Sequence, residues 1–274
     1  MTLLFKFSEK LVQANIIKRP SATCKTPYVA DIIYENTNTL AHTPALGCCG
    51  LTDKGSTVFI SPKEKPKTCS HTVELSRIID KGHEIIIGCN PKMAENLLEE
   101  CIKKNVITSL SHVKSYKREQ KFMNSRFDFC GVDSNGCDFI LEVKNVPLAN
   151  YEDVTEKELK KMDFTDRNYD SKVAYFPDGY RKKKGDVVSP RALKHIQELE
   201  KIKIEKKDEI RCILCFVIQR NDISSFQASN LDPTYKQALK SAYNNGVEVL
   251  PIIIEWTKEG EAYFIDKEII FYID

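Results

Sequence analysis

No stretch of this chain is long and apolar enough to span a bilayer. Its first twenty residues, MTLLFKFSEKLVQANIIKRP, hold only short apolar runs broken by Lys6 and Lys10. They lack the apolar core and the cleavage site of a signal peptide. The expectation is an intracellular protein, cytoplasmic or nuclear, with no membrane partner. Net charge is equally sparse: 41 Lys and Arg against 39 Asp and Glu leave only +2. A nucleic-acid partner therefore has to be argued from local basic patches, not from overall charge. Paired zinc-type spacings are also missing among the 10 cysteines. Cys212 and Cys215 form a C-x-x-C inside the apolar run RCILCFVIQR, which reads as a buried strand with small core thiols. Cys48-Cys49, in a loop-like stretch between Gly47 and Gly50, leaves a metal or redox role open. No internal repeat or low-complexity tract stands out.

What is present is a globular composition. Apolar residues make up 42% and charged residues 29% of 274, a length that favours two domains over one. Up to residue 90 the stretches YVADIIYE, STVFISP, HTVELSRII and HEIIIGC are β-rich and separated by turn residues. They predict a small barrel or sandwich. Pro91 opens a helical pattern, KMAENLLEECIKK, that connects the halves. Beyond it, two strands around 126–146 precede a charged, irregular stretch over about 148–188. The helix SPRALKHIQELEKI follows, with Ser189 as cap and Leu193, Ile196 and Leu199 on one face. RCILCFVIQR is a strand, DPTYKQALKSAYNNG a helix, and VEVLPIIIEW and AYFIDKEIIFYI are strands. The predicted class is a two-domain α+β/α/β protein: a β-rich domain over 1–90 and an α/β domain over 91–274.

The stretch SRFDFCGVDSNGCDFILEVKNV raises the functional question. Asp133-Ser134-Asn135-Gly136-Cys137 suits a three-residue hairpin loop with Gly136 at positive φ. Pairing Asp133 with Cys137 places Asp128 opposite Glu142, and Lys144 shares that face. Facing carboxylates repel, and a divalent cation relieves the repulsion. Mg²⁺, or Mn²⁺ in its place, binds through few protein carboxylates. A neighbouring lysine suits activation of a water or stabilisation of phosphate charge. The residues alone also leave open a plain surface salt-bridge cluster.

The order D, thirteen residues, then E-x-K resembles the core of the PD-(D/E)xK nucleases. The blocks REQKFMNSRFDF, FILEVKNVPL, AYFPDG, VSPRALKHIQEL and LDPTYKQALKSAYNNGVEVLP resemble the sugar fermentation stimulation protein A (SfsA) family. KRPSATCKTPYVADI, HTPALG, KGSTVFIS and HTVELS extend the likeness over nearly the whole chain. The resemblance implies an N-terminal OB-like β-barrel, a nuclease-like mixed sheet flanked by helices, nonspecific DNA binding and metal-dependent nuclease activity. RNA as substrate and a catalytically silent DNA-binding module stay open.

Carried over residue by residue, the resemblance makes Asp128, Glu142 and Lys144 the expected catalytic residues. Glu119 matches an acidic position before the first hairpin strand and is expected to approach the metal from a helix or loop. Asp178, of F-P-D, is a further expected ligand beside Asp128, Glu142 and Glu119. Arg126, Arg191, Lys194 and His195 are expected on the nucleic acid, the last with a weaker reading as general base. The basic run Arg181, Lys182, Lys183 and Lys184 is a phosphate-binding candidate. In the barrel, Lys18 and Arg19 would supply charge and Tyr28 a stacking surface, by analogy with OB-folds. One departure is Pro44-Ala45-Leu46-Gly47, where the family has P-N-T-G, which puts a binding role of that loop in doubt. The others are a longer segment between E-V-K and F-P-D and an inserted RKKKGDV.

Overall fold

The computed structural model describes residues 1–46, 48–177 and 187–273. In chain order the first strands are β1 (Thr2–Lys6), β2 (Val12–Lys18), β3 (Val29–Tyr34), β4 (Thr37–His42), β5 (Thr57–Pro62), β6 (His71–Asp80) and β7 (His83–Gly88). Helix α1 (Pro91–Lys103) leads to β8 (Ser115–Phe122), β9 (Ser125–Val132), β10 (Asp138–Val146), β11 (Ala149–Asn150), α2 (Glu156–Leu159) and β12 (Lys172–Phe176). The chain ends with α3 (Pro190–Lys206), β13 (Ile210–Ile218), β14 (Ile223–Ala228), α4 (Pro233–Asn244), β15 (Glu248–Trp256), β16 (Glu261–Ile265) and β17 (Ile270–Tyr272). These elements form mixed sheets with helices.

The first sheet runs β4-β3-β2-β5-β6-β7. β4 also pairs in parallel with β6, Ala41 against His71 and His42 against Thr72, while β7 stays at the far edge of the row. Alternation along the strands turns Ala14, Ile16, Ala30, Ile32, Val58 and Val73 into one shared core. The four β-rich stretches read from the sequence correspond to β3, β5, β6 and β7. β2 and β4 are not among those stretches, because their Gln, Asn and Thr content weakens the apolar signal.

β1 does not join this sheet. It pairs antiparallel with β16, from Thr2 against Phe264 to Lys6 against Glu261, and so edges the large sheet β1-β16-β15-β13-β10-β9-β8. The third sheet, β11-β12-β14-β17, draws two of its strands from the stretch expected to be irregular. AYFIDKEIIFYI, read as one strand, splits at residues 266–269 into β16 and β17, which lie in different sheets.

β10 is central. It runs parallel to β13, Asp138 against Ile210 through Val146 against Ile218, and antiparallel to β9. α1 covers one face through Leu97, Leu98 and Cys101. α3 and α4 cover the other through Ile196, Leu199, Tyr235 and Leu239. Each such buried Leu or Ile contributes about 1.5–3 kcal/mol. The helix starts are those of the sequence: Asn90, Ser189 and Asp232 cap the backbone, each followed by proline at the first turn. Cys212 and Cys215 are buried on opposite faces of β13, in separate cores.

Candidate active site

The hairpin between β9 and β10 sets the site. Asp133 N–H donates to Cys137 O at 2.9 Å, and Gly136 N–H to Asp133 O at 3.1 Å. The Asp133 carboxylate also accepts from the N–H groups of Asn135 and Cys137, and Gly136 sits at φ +87°. The register follows: Asp138 against Val132 through Leu141 against Phe129. At the next position, opposite Glu142, the backbone ladder stops. Asp128 takes its place with its side chain, accepting from Val143 N–H at 2.6 Å.

Glu142 and Lys144 sit in a strand covered on both faces, only 2% and 8% exposed. A plain surface salt-bridge cluster does not describe them. Lys144 Nζ donates to Glu142 Oε1 at 2.5 Å. His195, on α3 and also buried, donates from Nδ1 to the same oxygen; an ionised carboxylate only accepts, so the proton belongs on Nδ1. Glu142 Oε2 is buried with no hydrogen-bond partner. The Tyr235 hydroxyl, on α4, is buried and unpartnered as well. Burial and then the Glu142 charge hold that phenol neutral far above its usual range.

The two carboxylates are driven apart in acidity. Burial pushes Asp128 up, the Glu142 charge pushes further, and the Val143 N–H only partly opposes, leaving it at about 7. Burial also pushes Glu142 up, but the Lys144 ammonium and the His195 hydrogen bond outweigh it, and Glu142 ends below its usual value. Asp128 and Glu142, with one Glu142 oxygen unpartnered, are the donors a hard divalent cation would find here. Among the described residues no group of three His, Cys, Asp or Glu is placed to hold a metal.

The other expected residues are placed as follows. Glu119 lies within strand β8, not on a helix or loop, flanked by Arg118 against Phe129 and Gln120 against Phe127. Its carboxylate pairs with the Arg126 guanidinium, so it is not gathered with Asp128 and Glu142. Arg126 is correspondingly exposed but neutralised. Lys194 is exposed and donates to Asn124 O at 3.0 Å. His195, expected on the nucleic acid, faces inward at 5% exposure and backs Glu142. Lys18 is exposed on β2. Arg19 is not available as a surface charge: its guanidinium donates to Pro27 O, Ala45 O and Thr52 Oγ1, with its side chain 6% exposed. Asp178, Arg181, Lys182, Lys183 and Lys184 lie outside the described residues.

Lys144 opens into a cleft of about 510 Å³, lined also by Tyr28, residues 44–46, Phe176, Ser189 and Arg191. Arg191 is exposed there. Tyr235 is not among the residues expected from the sequence; its signal there is its place on the stripe with Leu239 and Ala242.

A family model described as the sugar fermentation stimulation protein RE domain matches residues 92–260. A sugar fermentation stimulation protein homolog of Alteromonas mediterranea is 31% identical over 255 residues, covering 89% of this chain and 91% of its own. The homolog of Jannaschia sp. is 30% identical over 261 residues, 93% of this chain and 92% of its own. The structure of Pyrococcus furiosus SfsA, solved in complex with Ca²⁺, superposes with a TM-score of 0.75 at 21% identity, covering 99% of this chain and 100% of that one. The family match thus spans the hairpin, the helix that carries His195 and the strands between them, and the relatives extend it over the first sheet. The chain belongs to the sugar fermentation stimulation protein (SfsA) family.

Proposed function

We propose that this protein is a Mg²⁺- or Mn²⁺-dependent nuclease that binds nucleic acid, DNA before RNA, without reading base sequence. One observation carries the reading: Glu142 is buried, with Lys144 and His195 on one oxygen, none on the other, and a second carboxylate facing it at a pKa of about 7. Two acidic groups aimed at a polyanion would only weaken a pure binding module. They suit a site that takes up a cation. The Ca²⁺ in the Pyrococcus relative accords with a hard, oxygen-seeking ion. When bound, the cation supplies Lewis acidity toward the phosphodiester. Asp128 and Glu142 would hold it. Lys144 would orient the attacking water and meet charge developing on the phosphate oxygens. His195 fixes the Glu142 carboxylate as an outer partner. We assign residues 1–90 to an OB-like nucleic-acid-binding domain and 91–274 to the nuclease-like domain, with β1 reaching back to edge the latter. The barrel reading is supported by the two-residue β4–β6 pairing, which links the first strand of the row to its fifth.

The test is cleavage of labelled single- and double-stranded DNA and RNA in Mg²⁺, Mn²⁺ and EDTA. Cleavage in either metal and none in EDTA is expected. Binding without cleavage under every condition would leave a catalytically silent DNA-binding module as the better account.

Asp128 holds its proton to about pH 7, so a cation must displace it. Calorimetric titration should show metal affinity rising roughly tenfold per pH unit up to about pH 7 and levelling off above it. An affinity flat across that range would remove Asp128 from the ligand set. His195→Ala is expected to lower metal affinity and cleavage by about 10–100-fold, the usual loss for an outer partner of a ligand. His195→Gln, whose amide still donates, should recover most of it. Equal defects in both variants would mean that the imidazole only fills space.

A further inference from the structure

We infer that the cleft above Lys144 accommodates an unstacked nucleotide of a single strand, so that a single strand or frayed end, and not intact duplex, is the substrate. The inference rests on the nucleic-acid reading above and names the substrate class of that site. Its first ground is depth. Lys144, 8% exposed, lines a cleft of about 510 Å³, and Glu142, 2% exposed, holds its ammonium from behind. A phosphate must reach that ammonium through the cleft. Duplex DNA is stiff over about 150 base pairs and carries its phosphates on a broad cylinder; a single strand can bend inward and turn a base aside.

The second ground is the chemistry of the walls. The lining carries Lys144 and Arg191 and, among the described residues, no acidic side chain, which complements a polyanion. Tyr28 and Leu46 face it at 43% and 39% exposure, large apolar surfaces that no core covers. Flat or apolar side chains interleaved with cations are what a sequence-tolerant single-strand site requires, because every base offers a π-face. The departure from P-N-T-G fits this role: Ala45 is buried in the core, and Leu46 gives a surface to pack on a base.

The third ground is that this wall is held in place. Arg19 donates to Pro27 O at 2.8 Å and to Ala45 O at 2.6 Å, tying together the two segments that present Tyr28 and Leu46. Thr43 N–H donates to Tyr28 O at 2.9 Å and Thr43 Oγ1 to Pro27 O at 2.9 Å. The ring is thus presented by a fixed segment.

The experiment is fluorescence anisotropy in EDTA, where nothing is cut, with a labelled 12-nucleotide mixed-sequence DNA strand and its duplex at one fixed salt concentration. Wild-type protein should bind the strand at least tenfold more tightly than the duplex. Tyr28→Ala should weaken strand binding about 5- to 150-fold, the range of one lost stacking contact, and leave duplex binding unchanged. Tyr28→Phe should restore it, and Leu46→Ala should weaken it by a smaller factor. Thermal melts confirm that these surface variants fold. Equal affinity for strand and duplex, or an equal loss on both in Tyr28→Ala, would overturn the inference. Strand-selective, Tyr28-dependent binding without cleavage in Mg²⁺ or Mn²⁺ would support the cleft while removing the nuclease reading. No binding of either DNA would remove both.

Discussion

Asp128→Asn is expected to abolish cleavage and, in the same protein, to raise stability above neutral pH. On the ligand role proposed for Asp128, the activity loss should be at least about a hundred-fold, beyond the 10–100-fold cost of disturbing an outer partner. The gain in stability follows from the raised pKa. Folded Asp128 holds its proton to about 7 against an ordinary value of 3.8. Between those values the folded state binds more protons than the unfolded, so stability falls as pH rises. The contribution is fully present below about pH 4 and is lost by pH 7 to 8, where the burial and repulsion that raised the pKa act on an ionised group. Asparagine mimics the neutral acid and can still accept from Val143 N–H. Urea unfolding in EDTA should therefore show the variant more stable by on the order of 2–4 kcal/mol at pH 8 and nearly equal to wild type at pH 4. A variant destabilised at pH 8 would mean that Asp128 is a structural acceptor whose charge the fold needs.

How much of this was legible in advance depended on how local each determinant is. The Asp133–Cys137 turn fixes the hairpin register with its own backbone bonds, so the positions of Asp128, Glu142 and Lys144 could be counted from the loop. Helices α1, α3 and α4 were legible because cap and proline adjoin the apolar repeat. His195 was misjudged although its signal is local. It lies three residues after Ala192 and four before Leu199, on the buried stripe itself, and reading the face through Leu193 turned it outward. Arg19 was not legible: its partners are 8, 26 and 33 residues away, across three segments. Nor was β1, whose partner strand lies at the other end of the chain. Glu119 carried the right charge in the right block, but only the neighbouring strand shows that Arg126 claims it.

Lys172→Met is expected to cost about 3–5 kcal/mol of stability, the usual penalty for removing one partner of a buried ionic group. Lys172, on β12, donates to Asp80 Oδ2 at 2.5 Å and to Asp222 Oδ2 at 2.8 Å. Its ammonium also lies 4.8 Å from the centre of the Tyr151 ring, and the Tyr151 hydroxyl donates to Asp80 at 2.7 Å. Asp222, with no exposed surface, is held further by both Arg220 Nε and Nη2. Without the ammonium, among the described residues, Asp80 keeps only the Tyr151 hydroxyl and fully buried Asp222 only the Arg220 guanidinium, with nothing between the two charges. Burial pushes both acids up, but Asp80 and Asp222 are nevertheless held below 3.8 by Lys172, Arg220 and Tyr151. Their stabilisation is thus present above about pH 4 and is lost as pH falls through the depressed folded values. The deficit of Lys172→Met, read by urea unfolding, should be largest at neutral pH and shrink on acidification. Adding Asp80→Asn should recover more than about 1 kcal/mol, because the two changes act on one network. Strict additivity would show the ammonium to be a space filler. The consequence reaches the cleft: Asp80 belongs to the first sheet, and β12 carries Phe176 to the cleft that Tyr28 also lines. The same variant should therefore weaken single-strand binding even at temperatures where it remains folded.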